Sequence, residues 1–421
     1  MNIPELYELY KAHPSIQTDT RQLKSGGLFF ALKGPNFDAN SFAETSLNNG
    51  AEYAIIDDAH YHGNGKTILV DDVLTTLQEL ALFHRNQFTI PFLAITGSNG
   101  KTTTKELVHA VLSATFRTYT TVGNLNNHIG IPLTLLRIGM DAEMAVIEMG
   151  ANHVGEIASY CNFTLPDYGM ISNVGKAHLE GFGSYEGVKK GKGELYDFLR
   201  AVEGTAFVMW DYDYLREMSQ GIKKIVKYGT AGADVNGRII GNDPYLGVEV
   251  DGMEIHTRLV GSYNLPNVLA AVAIGKYFRV ADEKIVSALE NYEPSNSRSQ
   301  LINKDGNRII LDAYNANPSS MRLAIENFAA LKETNKILML GAMAELGEES
   351  LEEHQGIVDL IQQYQWTDVV LVGGDFLKTA SGFRVLSNSE DAADWYRSAN
   401  LKDACLLIKG SRSTRMEKVI A

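Results

Sequence analysis

The stretch Gly97-Ser98-Asn99-Gly100-Lys101-Thr102-Thr103 constrains the fold more than any other part of the chain. It follows an apolar run at residues 91–95, which predicts a buried strand, and it precedes a run with helical spacing from 102 to about 116. A glycine turn between a strand and a helix places backbone N–H groups and the helix N-terminus where they can hold phosphate oxygens. The sequence therefore predicts a nucleotide-binding α/β domain.

Two side chains of this stretch have expected roles. Lys101 would contact the terminal phosphates, and the hydroxyl of Thr102 would bind Mg²⁺. The common P-loop pattern G-x-x-x-x-G-K-[ST] has a longer spacer, whereas here only Ser98 and Asn99 separate Gly97 from Gly100. The alternative is a plain glycine turn with an exposed lysine, which the preceding strand and the following threonines disfavour.

Two more apolar runs indicate that this domain is built on a parallel sheet. Residues 144–147 lead to Glu148, and residues 168–171 lead to Ser172 and Asn173. Strand, turn and helix alternate here, which favours a parallel sheet with ligands at the carboxyl ends of its strands. The carboxylate of Glu148 could therefore reach the metal opposite Thr102, although a strand-terminal glutamate is also often a solvated end or a helix cap.

The length of 421 residues predicts several domains, and we expect three. Residues 18–72 alternate short apolar runs with turns, which is typical of a small mixed α/β domain. A polar stretch at 292–297 indicates a linker, and apolar runs at 308–311, 336–340, 368–372 and 404–408 predict a second doubly wound α/β domain. The predicted domains span residues 1–87, 88–294 and 295–421.

Composition excludes several classes of protein. A formal net charge of -13 argues against a broad nucleic-acid-binding surface. Two cysteines, Cys161 and Cys405, are too few for a disulfide scaffold and lack metal-ligand spacing. We find neither a secretory signal nor an apolar run long enough to cross a bilayer. We expect a cytoplasmic protein that neither binds nucleic acid nor inserts into a membrane.

Two further residues could carry chemistry. His178 follows the third strand of the central domain, and its residue type suits a metal ligand, a general base or a surface position. Lys192 follows it in a segment that also contains Lys189 and Lys190. Such a group of lysines is usually a solvated cationic face. The residues alone leave these alternatives open.

The chain resembles the Mur ligases, which are ATP-dependent amide ligases of peptidoglycan precursor synthesis. The short loop at 96–104 (TGSNGKTTT) is the signature of that family. Four other segments are similar to the members that add D-Ala-D-Ala to UDP-N-acetylmuramoyl-tripeptide: 123–132 (GNLNNHIGIP), 177–182 (AHLEGF), 313–318 (AYNANP) and 409–412 (KGSR). The resemblance extends over all three predicted domains. It implies a small N-terminal domain, a central P-loop-type ATPase domain and a C-terminal Rossmann-like domain.

The resemblance also implies a second Mg²⁺ and an unusual ligand. Lys192, chosen for its context Gly191-Lys192-Gly193-Glu194-Leu195-Tyr196, would be carbamylated by CO₂ and would bind this metal together with His178 and Glu148. Carbamylation needs a neutral amine, so we expect a depressed lysine pKa there. The catalytic residues implied are Lys101, His178, Lys192 and Arg298.

Other implied contacts involve nucleotide and substrate. Asn264 and Asn267 match a stretch that contacts nucleotide, while Arg298, in the segment 296–298, and Asp312 would reach the phosphates and the ribose from the C-terminal domain. Thr20 and Arg21 match the domain that holds the uridine end of the nucleotide sugar. The implied substrate residues of the central domain are Asn124, Asn126 and Asn127. The usual Asp-Gly-His of the uridine domain is replaced here by Asp38-Ala39-Asn40.

The mechanism implied is acyl transfer by way of an acyl phosphate. The terminal carboxylate of the tripeptide attacks the γ-phosphate of ATP, and the amine of D-Ala-D-Ala then displaces phosphate. Two alternatives remain: another amino-acid ligase of the same superfamily, and a nucleotide-binding relative without catalysis. The resemblance leaves open whether the third residue of the peptide is diaminopimelate or lysine. A monomer is the default expectation.

Overall fold

The computed structural model describes residues 1–63, 65–295 and 297–421. Asn296 of the predicted linker lies outside the described residues. The contacts of the chain divide it into two compact units. The first contains Met1–Ala94, Phe116–Gly150 and Glu156–Tyr168, and the second contains Ile95–Thr115, Ala151–Gly155 and Gly169–Ala421.

The regular elements are as follows. The strands are β1 Ile16–Gln17, β2 Leu28–Phe30, β3 Lys33–Gly34, β4 Phe37–Asp38, β5 Tyr53–Ile56, β6 Thr67–Leu69, β7 Phe92–Thr96, β8 Thr118–Thr120, β9 Met144–Glu148, β10 Tyr168–Ile171, β11 Thr205–Met209, β12 Lys224–Gly229, β13 Val235–Asn242, β14 Tyr245–Val250, β15 Met253–Val260, β16 Gln300–Lys304, β17 Asn307–Asp312, β18 Lys336–Gly341, β19 Asp368–Val372, β20 Arg384–Leu386 and β21 Cys405–Lys409. The helices are α1 Ile3–Ala12, α2 Ala43–Asn48, α3 Val73–Arg85, α4 Lys101–Ser113, α5 Gly130–Leu135, α6 Glu156–Thr164, α7 Leu179–Phe182, α8 Tyr185–Ala201, α9 Asp213–Met218, α10 Leu265–Tyr277, α11 Asp282–Asn291, α12 Pro318–Ala330, α13 Ser350–Ile361 and α14 Ser389–Ser398. Single 3₁₀ turns occupy Thr20–Gln22, Ala39–Phe42, Ala59–Tyr61, Ser262–Asn264, Gly347–Glu349, Gly374–Lys378 and Met416–Ile420.

The first unit opens with a small parallel sheet in the order β1-β2-β5-β6. Its strands are short and almost continuously apolar, as expected for a parallel sheet covered on both faces. Phe29, Ala54 and Ile56 lie in its core. Residues 18–72 therefore contain a small parallel sheet, in agreement with the mixed α/β structure expected from their alternating apolar runs and turns.

A buried arginine caps the C-terminus of helix α6 in the first unit. Arg85 donates hydrogen bonds to the carbonyls of Thr164 and Leu165, at and just after the end of α6, both at 2.8 Å. Its guanidinium also lies 3.7 Å from the centroid of the Phe92 ring. The last carbonyls of a helix have no hydrogen-bond partners within the helix, and leaving them unpaired in the protein interior would cost free energy. Arg85 supplies those hydrogen bonds.

The strands of the largest sheet that lie at least partly in the second unit follow the order β15-β14-β13-β12-β11-β10-β7, and of these β7 and β10 begin in the first unit. Strands β11, β12 and β13 are parallel, and β13, β14 and β15 form an antiparallel meander. Helix α10 is buried along nearly its whole length, as expected for a helix that is apolar on all sides. Strands β11 to β15 were not predicted from the sequence.

The second sheet of this unit has the order β16-β17-β21-β18-β19-β20. All neighbours are parallel except β16, which pairs antiparallel with β17. The four strands predicted for the C-terminal domain are confirmed as β17, β18, β19 and β21, while β16 and β20 were not predicted. The register places Asp312 opposite Lys409 at the carboxyl ends of β17 and β21.

Candidate functional site

The predicted phosphate loop joins β7 to α4. Gly97 and Gly100 have φ angles of 140° and 76°, a region that favours glycine over every other residue. A Cβ atom on Gly97 would lie 2.1 Å from Oγ of Ser172, and one on Gly100 would lie 2.7 Å from Oδ1 of Asn267. Both glycines are therefore required by conformation and by space.

A segment after β10 holds the loop in place. The N–H of Ser98 donates to the carbonyl of Asn173 at 2.9 Å. The N–H of Asn99 donates to Oδ1 of the same residue at 3.0 Å. Oγ of Ser172 in turn donates to the carbonyl of Asn99 at 2.6 Å. The conformation of the loop is thus fixed by the end of a neighbouring strand.

The cation of the loop lies over its own backbone. Nζ of Lys101 is 2.7 Å from the carbonyl of Gly97 and 3.2 Å from that of Ser98. Thr102 is buried in the first turn of α4, and Thr103 is half-buried. The structure therefore brings the predicted cation and hydroxyl groups together at the N-terminus of α4, where the helix dipole favours an anion.

Asn264 and Asn267 lie against this loop. Oγ1 of Thr104 donates to Oδ1 of Asn267 at 3.0 Å, and Nδ2 of Asn267 donates to Oδ1 of Asn264 at 2.9 Å. Nδ2 of Asn264 continues to the carbonyl of Val260 at 2.9 Å. These buried amides connect α4 to the start of α10. Their placement beside the phosphate loop is established, and their contact with nucleotide remains a prediction.

His178 lies just before α7 with a φ angle of 54°. Its Nδ1 contacts the carboxylate of Glu345, which also has a positive φ of 61°. The hydrogen bond from His178 lowers the pKa of Glu345. The N–H of Glu180 donates to the carbonyl of Glu345 at 3.3 Å. Glu345 was not predicted as a site residue, since nothing in the sequence around it distinguishes it from a surface glutamate.

Lys192 is buried, unlike the nearby Lys189 and Lys190. It is 1% exposed on α8, and its Nζ donates to the carbonyl of Ala151 at 3.0 Å. The ring centroid of Phe182 lies 5.1 Å from the same nitrogen. Lys190 is exposed and Lys189 is half-buried, so the choice of Lys192 among the three lysines agrees with burial. The solvated cationic face is a wrong description of Lys192.

Glu148 is buried at the end of β9 in the first unit. Its Oε1 accepts a hydrogen bond from Nδ2 of Asn126 at 2.7 Å, and its N–H donates to Oγ1 of Thr121 at 2.9 Å. Asn124 is exposed in the same loop as Asn126. Oδ1 of Asn127 accepts the N–H of Gly130 at 2.8 Å, where α5 begins. Asn126 is therefore next to a predicted metal ligand, and Asn127 supports a helix start.

The predicted uridine residues lie in the small domain of the first unit. Thr20 and Arg21 form a 3₁₀ turn capped by Asp19, and the guanidinium of Arg21 pairs with that carboxylate at 2.7 Å. This pairing lowers the pKa of Asp19 to about 2. Asn40 is fully buried and its Nδ2 bridges Asp38 and Asp57, at 2.7 and 2.8 Å. Asn40 thus has a structural role, because it links two carboxylates of the small domain.

Arg298 and Asp312 lie close together in the C-terminal part of the second unit. The guanidinium of Arg298 stacks 3.6 Å above the Tyr314 ring centroid. Asp312 accepts hydrogen bonds from Nζ of Lys409 at 2.6 Å and from the N–H of Ser299 at 3.1 Å. Lys409 lies in the segment 409–412 that resembles the family, and no role was predicted for it.

Among the residues that the structure describes, no three or more histidine, cysteine, aspartate or glutamate side chains converge as a metal site. The described residues also include no helix that is both long and apolar enough to cross a membrane.

Protonation of a buried histidine is expected to weaken the C-terminal part in acid. Nε2 of His354 accepts the N–H of Met343 at 3.0 Å, so the proton is on Nδ1, which donates to the carbonyl of Ser350 at 2.6 Å. Burial lowers the pKa of His354. Below about pH 6.5 the unfolded chain binds a proton that the folded chain does not, so stability is full above that pH and is lost as pH falls towards the folded pKa.

Urea unfolding at pH 7.5 and pH 5.5 tests this prediction. The His354→Gln variant should be less stable than the unmodified chain at pH 7.5 by about 1–3 kcal/mol, because a buried hydrogen bond is lost. It should also lose less further stability between the two pH values. The exposed His60 provides the control, since His60→Gln should leave the pH dependence unchanged. An equal pH dependence in the His354 variant would contradict the prediction.

Known proteins share both the sequence and the fold of this chain. The Mur ligase middle domain matches residues 95–275, and the Mur ligase glutamate ligase domain matches residues 297–412. The UDP-N-acetylmuramoyl-tripeptide--D-alanyl-D-alanine ligase of Bacillus subtilis is 33% identical over 443 residues, with 100% of this chain and 96% of the relative covered. The ligase of the same name from Escherichia coli is 36% identical, with 96% and 92% covered.

Two solved structures agree with these sequence matches. MurF from Acinetobacter baumannii superimposes with a TM-score of 0.88 at 30% identity, covering 99% of this chain and 97% of that one. MurF from Thermotoga maritima in complex with ADP gives a TM-score of 0.86 at 26% identity, covering 98% and 97%. Together with the phosphate loop and the buried Lys192, they show that the chain belongs to the Mur ligase family.

Proposed function

We propose that the chain is an ATP-dependent ligase that joins D-Ala-D-Ala to the terminal carboxylate of UDP-N-acetylmuramoyl-tripeptide. The observation that carries the proposal is the phosphate loop, whose glycine conformations and bracing contacts suit the binding of nucleotide phosphates. The names of the relatives supply the substrates, since the similar ligases of two bacteria act on this pair. The relative solved with ADP supports the use of ATP.

The reaction needs positioned charge rather than a side-chain nucleophile. The tripeptide carboxylate attacks the γ-phosphate of ATP, giving an acyl phosphate and ADP, and the dipeptide amine then attacks the acyl carbon and releases phosphate. Lys101 and the N–H groups of residues 97–103 would hold the phosphates in line and neutralise the charge that develops. Arg298 would add a second cation from the C-terminal domain, and Asp312 would hold the ribose.

The residues present fit magnesium. Thr102, Glu148 and Lys192 are all buried side chains, and a hydroxyl, a carboxylate and a lysine carbamate would offer the oxygen ligands that Mg²⁺ prefers. We propose that Thr102 holds one ion and that His178 and carbamylated Lys192 hold a second, with Glu148 as the further ligand that the resemblance implies. When bound, magnesium would neutralise phosphate charge in the transition state. Asn264 and Asn267 would hold the loop beside the nucleotide.

The remaining assignments follow from the family. We place the domains at residues 1–87, 88–294 and 295–421, with the uridine end of the substrate on the first through Thr20 and Arg21. The residues Asn124, Asn126 and Asn127 would face the peptide part of the substrate. We expect the protein to be a cytoplasmic monomer.

Product analysis tests the choice of acceptor. The chain is incubated with ATP, Mg²⁺ and UDP-N-acetylmuramoyl-tripeptide, together with either D-Ala-D-Ala or a single amino acid, and the products are read by mass spectrometry. The proposal predicts a product enlarged by the dipeptide minus water. A product formed only with a single amino acid would keep the ligase but refute the acceptor, and ATP binding without any product would favour a non-catalytic nucleotide binder.

A further inference from the structure

The ion pair between Lys409 and Asp312 has no assigned role of its own. The two residues face each other across β17 and β21, with Nζ of Lys409 at 2.6 Å from Oδ2 of Asp312. The same nitrogen donates to the carbonyl of Asn315 at 3.2 Å. Lys409 is 2% exposed, so its ammonium group is directed at protein oxygens rather than at solvent. A buried charge pair with an additional hydrogen bond holds both partners in one geometry.

The other oxygen of Asp312 controls a turn. Oδ1 accepts the N–H of Ser299 at 3.1 Å, and Oγ of Ser299 lies 2.9 Å from the hydroxyl of Tyr263. Ser299 has a φ angle of 48°, and Ser297 has one of 56°. Residues other than glycine adopt this region at a cost and keep it only where surrounding contacts hold them.

Arg298 stands between these two serines. Its guanidinium stacks on Tyr314, and the N–H of Tyr314 donates to the carbonyl of Ser297 at 3.2 Å. The turn is therefore held on one side by Tyr314 and on the other by Asp312. Because both flanking residues are strained, a change at either anchor would let the backbone relax and would turn the arginine side chain away.

We propose that Lys409 is a positioning residue for Arg298. By neutralising and orienting Asp312, it keeps that carboxylate on the N–H of Ser299 and prevents it from attracting the neighbouring guanidinium. Arg298 then remains available to the nucleotide phosphates, an assignment that rests on the proposed function. Each oxygen of Asp312 keeps a second lone pair, so a contact with the ribose is compatible with this arrangement.

The competing explanation is that the pair only stabilises the sheet. The two explanations predict different combined effects of substitutions at Lys409 and Arg298, because a positioning role acts through Arg298 and a structural role does not. A double-mutant cycle separates them. The variants are Lys409→Met, Arg298→Met and their combination, with Lys402→Met as the control, because Lys402 is an exposed lysine of the same domain.

Two quantities are measured for each variant: kcat/KM for ATP in phosphate release, and the Kd of MgATP by calorimetry. We expect Lys409→Met to lower kcat/KM about 10- to 100-fold, the usual cost of misplacing a reacting group. In the Arg298→Met background the same change should cost at least about threefold less, because the arginine is already gone and only the proposed ribose contact of Asp312 remains to be disturbed. Lys402→Met should stay within about twofold of the unmodified chain.

Equal factors in the two backgrounds, or no effect of Lys409→Met, would overturn the proposal. If Lys409→Met does not fold, Lys409→Arg carries the same cycle, since its planar guanidinium keeps the charge but not the compact ammonium contact. If the unmodified chain binds MgATP but releases no phosphate with the proposed substrates, the proposed function fails while the Kd cycle still decides the role of Lys409. Additive effects on Kd would then overturn it.

Discussion

Replacing Lys192 by alanine is expected to lower ATP-dependent ligation at least about 100-fold, because the amine that is proposed to carry the metal-binding carbamate is removed. Lys192 is 1% exposed, so loss of packing could also reduce activity. Lys192→Met keeps most of the side-chain volume without the amine and should be as inactive as the alanine variant while remaining folded. Lys190→Ala, at an exposed neighbouring position, should keep full activity.

Carbamylation of Lys192 can be detected without measuring catalytic turnover. In ¹³C-bicarbonate the unmodified chain should show a carbamate carbon resonance that is absent from Lys192→Met and present in Lys190→Ala. A small carboxylate such as acetate should partly restore activity to Lys192→Ala, since it can supply the missing anionic oxygens. Full turnover by both Lys192 variants would refute the catalytic assignment, and an unmodified chain without the resonance would refute carbamylation.

Gly97→Ala is expected to disrupt nucleotide binding even though it adds a single methyl group. At a φ of 140° alanine is strained by roughly 1–3 kcal/mol. The new Cβ would also lie 2.1 Å from Oγ of Ser172 and 3.0 Å from the carbonyl of Asn173. The backbone must therefore move, and the loop loses the contacts that fix it. We expect the Kd of MgATP to rise at least about 100-fold.

A matched glycine isolates the cause of that effect. Gly356 lies inside α13, where an added Cβ would have no atom within 4 Å. Gly356→Ala should leave ATP affinity unchanged and should raise stability by about 0.5–1 kcal/mol, because alanine loses less conformational freedom in a helix. ATP affinity that survives Gly97→Ala would show that the loop conformation described here is not the one that binds nucleotide.

Periodicity predicted most of the elements that position the site. The buried runs before Gly97, Glu148 and Ser172 are strands in the structure, and the polar residues that follow them lie at strand ends, as expected for a parallel sheet. The four core strands of the C-terminal domain were predicted for the same reason. In each case a local apolar pattern was sufficient to recognise the strand. A strand that is buried on both faces is an almost continuous apolar run in the sequence.

The contacts across the site could not be predicted in this way. Asp312 and Lys409 are 97 positions apart in the sequence, and they meet because β21 returns to lie beside β17. Strand order is a property of the whole sheet, so neither residue signals its partner. The same holds for His178 and Glu345, whose contact depends on loops from two sheets.

The antiparallel meander of β13, β14 and β15 was missed for a different reason. Strand β13 is partly exposed and contains two glycines, so it lacks the continuous apolar run by which the buried strands were found.

The predicted domain boundaries also remain predictions. The contacts of the chain define two units rather than three, and these units divide β7 and β10 within the strands.

The most direct test of the central claim is phosphate release from ATP with UDP-N-acetylmuramoyl-tripeptide, with and without D-Ala-D-Ala. A ligase that proceeds through an acyl phosphate should give sustained release only when both substrates are present, with one phosphate for each amide bond formed. Lys192→Ala should lower this release at least about 100-fold, also in the presence of bicarbonate. Sustained release that does not depend on the dipeptide, or no release with any pairing, would contradict the account.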